Sequence, residues 1–194
     1  SFDLRVSAIS LASQIYLEQL GAWKFVDLGR ACSYKRLGVW ENDAIYTEFN
    51  SDEITQSHLG HIVVNRVLQL AIWQELKQQK NVTFYCPEKL VSYEQKEDGV
   101  EVRLTETTLF TKLIIGADGA NSQVRNIANI GLTGWGYQQS AMLINVKTKK
   151  EQQNITWQRF FETGPVAMLP MHGKNASLVW YHSKEEIKRL SQLD

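Results

Sequence analysis

No stretch of this 194-residue chain approaches the run of about 20 apolar residues that spans a bilayer, and no secretory signal opens it. Charge of one sign is missing too. The 21 basic and 21 acidic residues cancel, without a long run of either. Nucleic acid is thereby excluded as the main partner, because neutralising phosphates takes a basic face. Cysteine is scarce: Cys32 and Cys86 have no metal-site or redox-pair spacing, so two free thiols in a reducing, cytoplasmic compartment are expected. The sequons at Asn81, Asn154 and Asn175 carry little meaning without export. His58 and His61 flank Gly60 but have no evident third ligand, so no metal site is read. There is no internal repeat, no low-complexity tract and no G-x-G-x-x-G fingerprint after a first strand.

What is present alternates between the two periodicities of regular structure. Ala8, Leu11, Ala12 and Ile15 recur at helical spacing and predict a helix after Ser7, with Gly21 to end it. Residues 35–49 predict two strands around the turn Glu41-Asn42-Asp43. The stretch "RVLQLAIWQELKQQ" predicts a helix with Leu68, Ala71, Ile72, Trp73 and Leu76 on one face and Asn65 as N-cap. "NVTFYC" predicts a short strand closed by Pro87. The turn Glu97-Asp98-Gly99, followed by alternating Val100, Val102 and Leu104, predicts a hairpin that continues as a meander. Leu113-Ile114-Ile115 is a continuous apolar run, as in a strand buried on both faces. Beyond Gly131 come four strand-like segments, "SAMLINVKT", "ITWQRFFE", "GPVAMLPM" and "ASLVWYH", and then "KEEIKRLSQLD", which begins a helix. The order points to an α/β fold in the mixed, α+β sense, with two interleaved domains. Residues 1–31 and 59–131 form a partial nucleotide-binding, Rossmann-like domain. Residues 32–58 and 132–194 form a mostly antiparallel sheet domain. The chain reads as an internal fragment.

The segment that carries chemistry is "LIIGADGANSQVR", Leu113 to Arg125. Glycine permits a close backbone approach, a helix start after it suits a phosphate, Asp118 can accept from a ribose or ribityl hydroxyl, and Arg125 can offset phosphate charge. The same four residues, Gly116 to Gly119, also make an ordinary strand–turn–helix connection. The residues alone leave both readings open.

The segment matches the Asp-Gly motif of the class A flavoprotein monooxygenases, in which it serves both FAD and NAD(P)H. Other segments resemble the same family in the same order. "RVSAIS" resembles the segment whose arginine, here Arg5, opens a helix and lies against the flavin. "IVVNRVLQLAIW" resembles the strand-to-helix segment whose amide, here Asn65, contacts the cofactor. "TWQRFFETGPVAMLPM" with "SLVWY" resembles the substrate sheet, whose Gly164-Pro165 loop faces the flavin ring, with Met168 nearby. The chain is most similar to the ubiquinone-biosynthesis hydroxylases. Each of these residues keeps a structural alternative: Arg5 as a surface arginine, Asn65 as an N-cap, Gly164-Pro165 as a hairpin turn. Trp157, Phe160, Met168, Leu169 and Met171 can equally be sheet core.

The resemblance implies a para-hydroxybenzoate-hydroxylase-like fold, FAD and NAD(P)H as cofactors, and hydroxylation of a polyprenyl benzoquinol ring in ubiquinone biosynthesis. A sister hydroxylase acting on another polyprenyl phenol or a small aromatic compound is the alternative; a small anion would find only Arg159 on strands 157–181. Asp118, Gly119 and Arg125 join Arg5 and Asn65 as the implied cofactor set, with Gly164, Pro165 and Met168 on the substrate side. No catalytic acid–base pair is assigned, since a quinol ring is already nucleophilic. The apolar substrate implies contact with the inner face of a membrane or with a biosynthetic complex, although no long amphipathic basic helix is present. Full-length members carry the glycine fingerprint and a later Gly-Asp segment. A chain without them is expected to bind FAD poorly, to be inactive alone, and to self-associate through an unpaired strand edge. A short-chain dehydrogenase is disfavoured, because its Tyr-x-x-x-Lys spacing at Tyr85 and Lys89 contains Pro87.

Overall fold

A computed structural model describes residues 5–42, 44–151 and 154–193. Two units separate: Ser1–Lys80 with Tyr137–Asp194, and Asn81–Gly136.

The first unit begins with strand β1 (Val6–Ser10), where helical spacing predicted a helix from Ser7; helix α1 spans only Leu11–Gln19. Ser10 explains the boundary. Its hydroxyl accepts from the N–H of Ser13, an N-cap that starts the helix at Leu11, and Ala8 belongs to a strand laddered with residues 60–64. The helix ends at Leu20 and Gly21, as predicted, with the Gly21 N–H donating to the Glu18 carbonyl. Strands β2 (Ala31–Tyr34), β3 (Arg36–Trp40), β4 (Tyr46–Asn50) and β5 (Gly60–Val64) follow, then helix α2 (Asn65–Leu76). Asp43 of the predicted turn between β3 and β4 lies outside the described residues.

A small antiparallel sheet runs β1-β5-β2. Val63, Val64, Val67 and Ala71 form its core with Val26, Ala31 and Met171. The buried stripe of α2 is therefore Val67 and Ala71; Ile72 and Leu76, predicted on that face, are 37% and 36% exposed. Cys32, Tyr34 and Ile62 make a second cluster, and burial pushes the Cys32 thiol up to about 11.

The first unit's other sheet, of six strands, runs β4-β3-β10-β11-β12-β9 among the described residues. It uses β9 (Gln139–Lys147), β10 (Ile155–Phe161), β11 (Gly164–Met171) and β12 (Asn175–Ser183), the four segments predicted as strands. All its neighbours are antiparallel except β3 and β10. Helix α4 (Lys184–Leu190) packs on β12 and β9.

The second unit is the predicted meander: β6 (Leu90–Lys96), β7 (Gly99–Leu104) and β8 (Thr108–Thr111), with helix α3 (Gln123–Ile127). Val102, on the predicted apolar side, is buried. Two strand expectations fail here. Residues 82–85 form no strand, and neither do residues 113–115. Leu113 and Ile115 are 69% and 77% exposed. A strand buried on both faces needs hydrogen-bonded neighbours at its edges, and no described strand of this unit pairs with either segment.

Candidate functional site

Two places in the chain gather the sequence-derived cofactor residues, and they differ in what their side chains are already doing. The first is where β1 and β5 meet α2. The Val6–Val64 pairing sets Arg5 beside Asn65, and the Asn65 N–H donates to the Arg5 carbonyl at 3.1 Å. Asn65 was expected to cap α2. Val64, still extended at φ −64 and ψ 126, occupies that position instead, with no side-chain cap, and the Asn65 Oδ1 accepts from the Ser7 hydroxyl at 2.7 Å.

Arg5, Asn65, Arg66, Gln69 and Leu70 line a cavity of about 450 Å³. Gln69 stands one helical turn from Asn65, and Leu70 one turn from Arg66, so all four α2 residues share a side. Arg66 and Gln69 escaped the sequence reading; the only available signal was the i, i+4 recurrence of polar residues outside the apolar stripe. No acidic residue lies in the first turn of α2, and none lines the cavity among the described residues. Two guanidinium groups and two amides suit the oxygens of a phosphate or pyrophosphate. The residues present therefore fit that part of a dinucleotide cofactor.

The second place is the turn before α3. The Asp118 carboxylate is committed to its own chain: Oδ1 accepts from the Ser122 hydroxyl at 2.5 Å, and Oδ2 from the N–H groups of Gln123 and Val124 at 2.7 and 3.2 Å. These bonds, that of Ser122 foremost, hold the carboxyl below its ordinary pKa. Ser122 completes the cap by accepting from the Arg125 N–H at 3.0 Å. Arg125 Nη1 donates to the Ala120 carbonyl at 2.9 Å. Gly119 has φ +84 and open space where a Cβ would stand, so it is conformation, not crowding, that favours glycine. Asp118, Gly119 and Arg125 thus come together as one hydrogen-bonded turn.

The substrate-side candidates lie on β11. Gly164 faces Phe161 across the β10–β11 hairpin, and Pro165 faces Phe160 inside the ladder. Gly164 has φ +126, and a Cβ there would lie 2.9 Å from Tyr181 Cβ. Alternation along β11 splits the candidates. Pro165 shares a face with Leu169 and Met171, which pack on the small sheet's cores. Met168 shares the opposite face with Val166.

That opposite face carries a cavity of about 500 Å³ between Trp40, Trp157, Trp180, Arg159, Phe161 and His182. Trp40 and Trp157 lie 5.3 Å apart, centre to centre, and the Arg159 guanidinium lies 4.9 Å over Phe161. Trp157 was weighed as core; the aromatic cavity itself was not foreseen, because strands distant in sequence assemble it.

His58 and His61 stack edge to face at 4.6 Å. His58 Nε2 pairs with Gln14 Oε1 at 2.9 Å and its Nδ1 with the Ser57 hydroxyl at 2.7 Å. Burial, with His58 second, holds His61 below the ordinary imidazole pKa. Among the described residues no group of three or more His, Cys, Asp or Glu side chains is placed to hold a metal ion, and no helix is long and apolar enough to cross a membrane.

Residues 41–192 match the family model described as "FAD binding domain". The chain is 42% identical over 193 residues to 3-demethoxyubiquinol 3-hydroxylase of Escherichia coli (strain K12), covering 99% of this chain and 49% of that protein. It is 36% identical over 207 residues to the mitochondrial ubiquinone biosynthesis monooxygenase COQ6 of Danio rerio, covering 100% and 42%. The ubiquinone hydroxylase UbiL of Rhodospirillum rubrum is 31% identical over 193 residues, with 99% and 45% covered. The chain thus spans about half the length of the curated relatives it matches. Among solved structures, PqsL of Pseudomonas aeruginosa, described as a probable FAD-dependent monooxygenase, superposes with a TM-score of 0.83 at 17% identity over 96% of this chain and 52% of its own. The p-nitrophenol 4-monooxygenase PnpA of Pseudomonas putida superposes with a TM-score of 0.75 at 15% identity, over 97% and 51%. These likenesses establish the fold.

Proposed function

The chain belongs to the FAD-binding domain family, and from that premise we propose that it is part of an FAD-dependent monooxygenase hydroxylating the ring of a polyprenyl benzoquinol in ubiquinone biosynthesis, with NAD(P)H as reductant and O2 as oxidant. The observation that carries this reading is the donor-lined cavity at Arg5, Asn65, Arg66 and Gln69, in a chain 42% identical along nearly its whole length to a ubiquinol hydroxylase. The sister reading, another polyprenyl phenol or a small aromatic compound, predicts the same cofactor site and differs only at the sheet.

FAD, when bound, would supply the redox chemistry that links the nicotinamide and O2 to ring hydroxylation. The protein's part is binding, orientation and exclusion of water. Arg5 and Arg66 offset pyrophosphate charge, and Asn65 and Gln69 donate hydrogen bonds. Asp118, Gly119 and Arg125 hold the turn before α3 in the shape that admits the cofactor; the Asp118 carboxylate keeps its remaining acceptor capacity for a sugar hydroxyl. On the sheet, Gly164 and Pro165 set the hairpin end of β11 against the substrate side. Met168, on the face of β11 shared with Gly164 and Val166, joins them on the substrate side. We assign residues 1–31 and 59–131 to cofactor binding, and 32–58 with 132–194 to the substrate sheet.

A polyprenyl substrate makes peripheral membrane or biosynthetic-complex association part of this proposal. The exposure of Leu113 and Ile115 supports self-association of the 194-residue chain, and light scattering showing a clean monomer at high concentration would count against it. We expect the chain alone to bind FAD weakly and not to turn over. The test is a chimera in which these residues replace the matching span of the E. coli relative. A yellow protein that hydroxylates the quinol with NAD(P)H supports the reading. A folded, colourless chimera contradicts it.

A further inference from the structure

Lysines gather at one corner of the six-stranded sheet. Lys147 ends β9, Lys149 and Lys150 follow it, and Lys174 closes the turn between β11 and β12; each of them is exposed. The backbone fixes them in one place. Lys147 pairs with Asn175 across the β9–β12 ladder. The Thr148 N–H donates to the Lys174 carbonyl at 2.9 Å, and the Thr148 hydroxyl to the Lys150 carbonyl at 2.6 Å. Within the turn, the Asn175 amide donates to the His172 carbonyl at 2.9 Å. None of these lysines forms an ion pair with a described residue; Glu151 is the acid that follows them in the chain. Lys35 reaches the same rim through its N–H bond to the Asn154 carbonyl, but the turn bonded to it, by the Ser51 N–H and the Lys35 carbonyl, carries Asp52 and Glu53.

The chain as a whole is neutral, with 21 charges of each sign, so this corner is a local asymmetry and not a share of a general excess. An edge strand is commonly blunted by lysine. That accounts for Lys147 on β9; Lys149, Lys150 and Lys174 lie past the ladder, where no edge needs protection. Lysine ammonium groups are hydrated point charges on flexible stems, suited to the diffuse field of lipid headgroups rather than to bidentate recognition. The place fits as well. β11 runs from Gly164 to Met171 and straight into this turn, so Met168 stands about 10 Å along the strand from the last β11 residue.

We propose that the lysine corner at Lys147, Lys149, Lys150 and Lys174 is the surface that docks this protein on an anionic bilayer. The choice of a bilayer rests on the polyprenyl reading above and deepens it: the substrate's tail stays in the lipid while the end of β11 that carries Met168 is held at the headgroups.

The test is sedimentation of the 194-residue chain with vesicles of mixed phosphatidylglycerol and phosphatidylcholine, and of phosphatidylcholine alone. The corner variant carries Lys149→Gln, Lys150→Gln and Lys174→Gln. A control variant of equal net charge carries Lys80→Gln, Lys89→Gln and Lys112→Gln, at exposed lysines elsewhere. Wild type and control are expected to bind the anionic vesicles and to leave the neutral ones. The corner variant should bind more than about tenfold more weakly, and the matching Lys→Arg variant within about threefold of wild type. Should the corner variant fail to fold, single Lys149→Gln and Lys174→Gln variants carry the test at about fivefold each. Undiminished binding by the Gln variants overturns the proposal, as does equal loss in the control. Equal binding of wild type to neutral vesicles also overturns it, since the contact would then be apolar. If wild type ignores both vesicles, the corner faces solvent or an acidic protein, and the proposal falls. The vesicles contain neither FAD nor quinol, so these outcomes are independent of the hydroxylase reading. A chimera active on a short-tailed quinol alongside failed vesicle binding sinks the docking surface alone; vesicle binding alongside a colourless chimera sinks the hydroxylase reading and, with it, the reason given for a bilayer.

Discussion

The Arg5–Asn65 cavity and the Asp118 turn were both singled out by one family resemblance, yet the structure uses them in opposite ways. At the turn, the carboxylate is held by Ser122, Gln123 and Val124, and Arg125 binds back to Ala120. At the cavity, the Asn65 amide has one end fixed by Ser7 and the other left for a ligand. The more recognisable motif is the one whose polar groups are locally satisfied. Affinity for an added anion follows the donors that line its cavity, so the cavity should dominate binding and the turn should dominate local order.

Several substitutions can break or sharpen that contrast. The largest effect is expected at the shared foundation. Ile62 is 2% exposed in β5, and Ile62→Ala should cost about 2–5 kcal/mol of stability, read by thermal or denaturant unfolding, and loosen β5 beneath Asn65. Next is Asn65→Asp, which keeps the acceptor for Ser7 but puts a negative charge where a donor stood. Pyrophosphate and FAD affinity should fall on the order of 100-fold, while the unfolding midpoint stays close to wild type. Arg66→Ala should cost about tenfold in the same titration. Asp118→Asn should weaken amide exchange protection over residues 122–128 and change FAD affinity by no more than about fivefold. Trp157→Phe, on the face of the large sheet turned from the small sheet's core, should leave FAD affinity within about twofold.

Proton linkage separates the regions again. His61 has its pKa held below the ordinary imidazole value of 6.5, chiefly by burial, so the unfolded chain takes up its proton at higher pH than the folded one. Its contribution is complete above the unfolded value and is lost as pH falls from about 6.5 toward the folded value. The Asp118 carboxyl, held below 3.8, contributes above that value and loses its contribution in stronger acid. Unfolding midpoints across pH should therefore decline first near pH 6, and His61→Phe should flatten that first decline while leaving the acid limb in place.

The large sheet was legible because its strands are apolar or alternating runs bounded by turn residues: β9 alternates in exposure along its length, and β11 matches the predicted segment residue for residue. The meander was legible from its Glu97-Asp98-Gly99 turn. Val6–Ser10 was misread because a five-residue strand running into a helix shares its apolar spacing with that helix, and only the Ser10 cap divides them. Residues 82–85 and 113–115 look like strands in composition, but a strand also needs a neighbour, which composition does not encode. At the candidate site, Arg5 and Asn65 were reachable through resemblance, whereas Arg66, Gln69 and Ser7 become visible only when β1, β5 and α2 are set side by side. The Asp118 cap, by contrast, is local: an Asp, a Ser four residues on and the amides just after it lie within one short segment.

The most direct test of the central claim is a side-by-side FAD titration of wild type, Asn65→Asp and Asp118→Asn, each carried in the chimera with the E. coli relative, under one set of conditions. The account predicts saturable binding by wild type, binding within about fivefold of it for Asp118→Asn, and loss of binding for Asn65→Asp. Binding that survives Asn65→Asp and disappears with Asp118→Asn would contradict it, and would place the cofactor at the turn before α3.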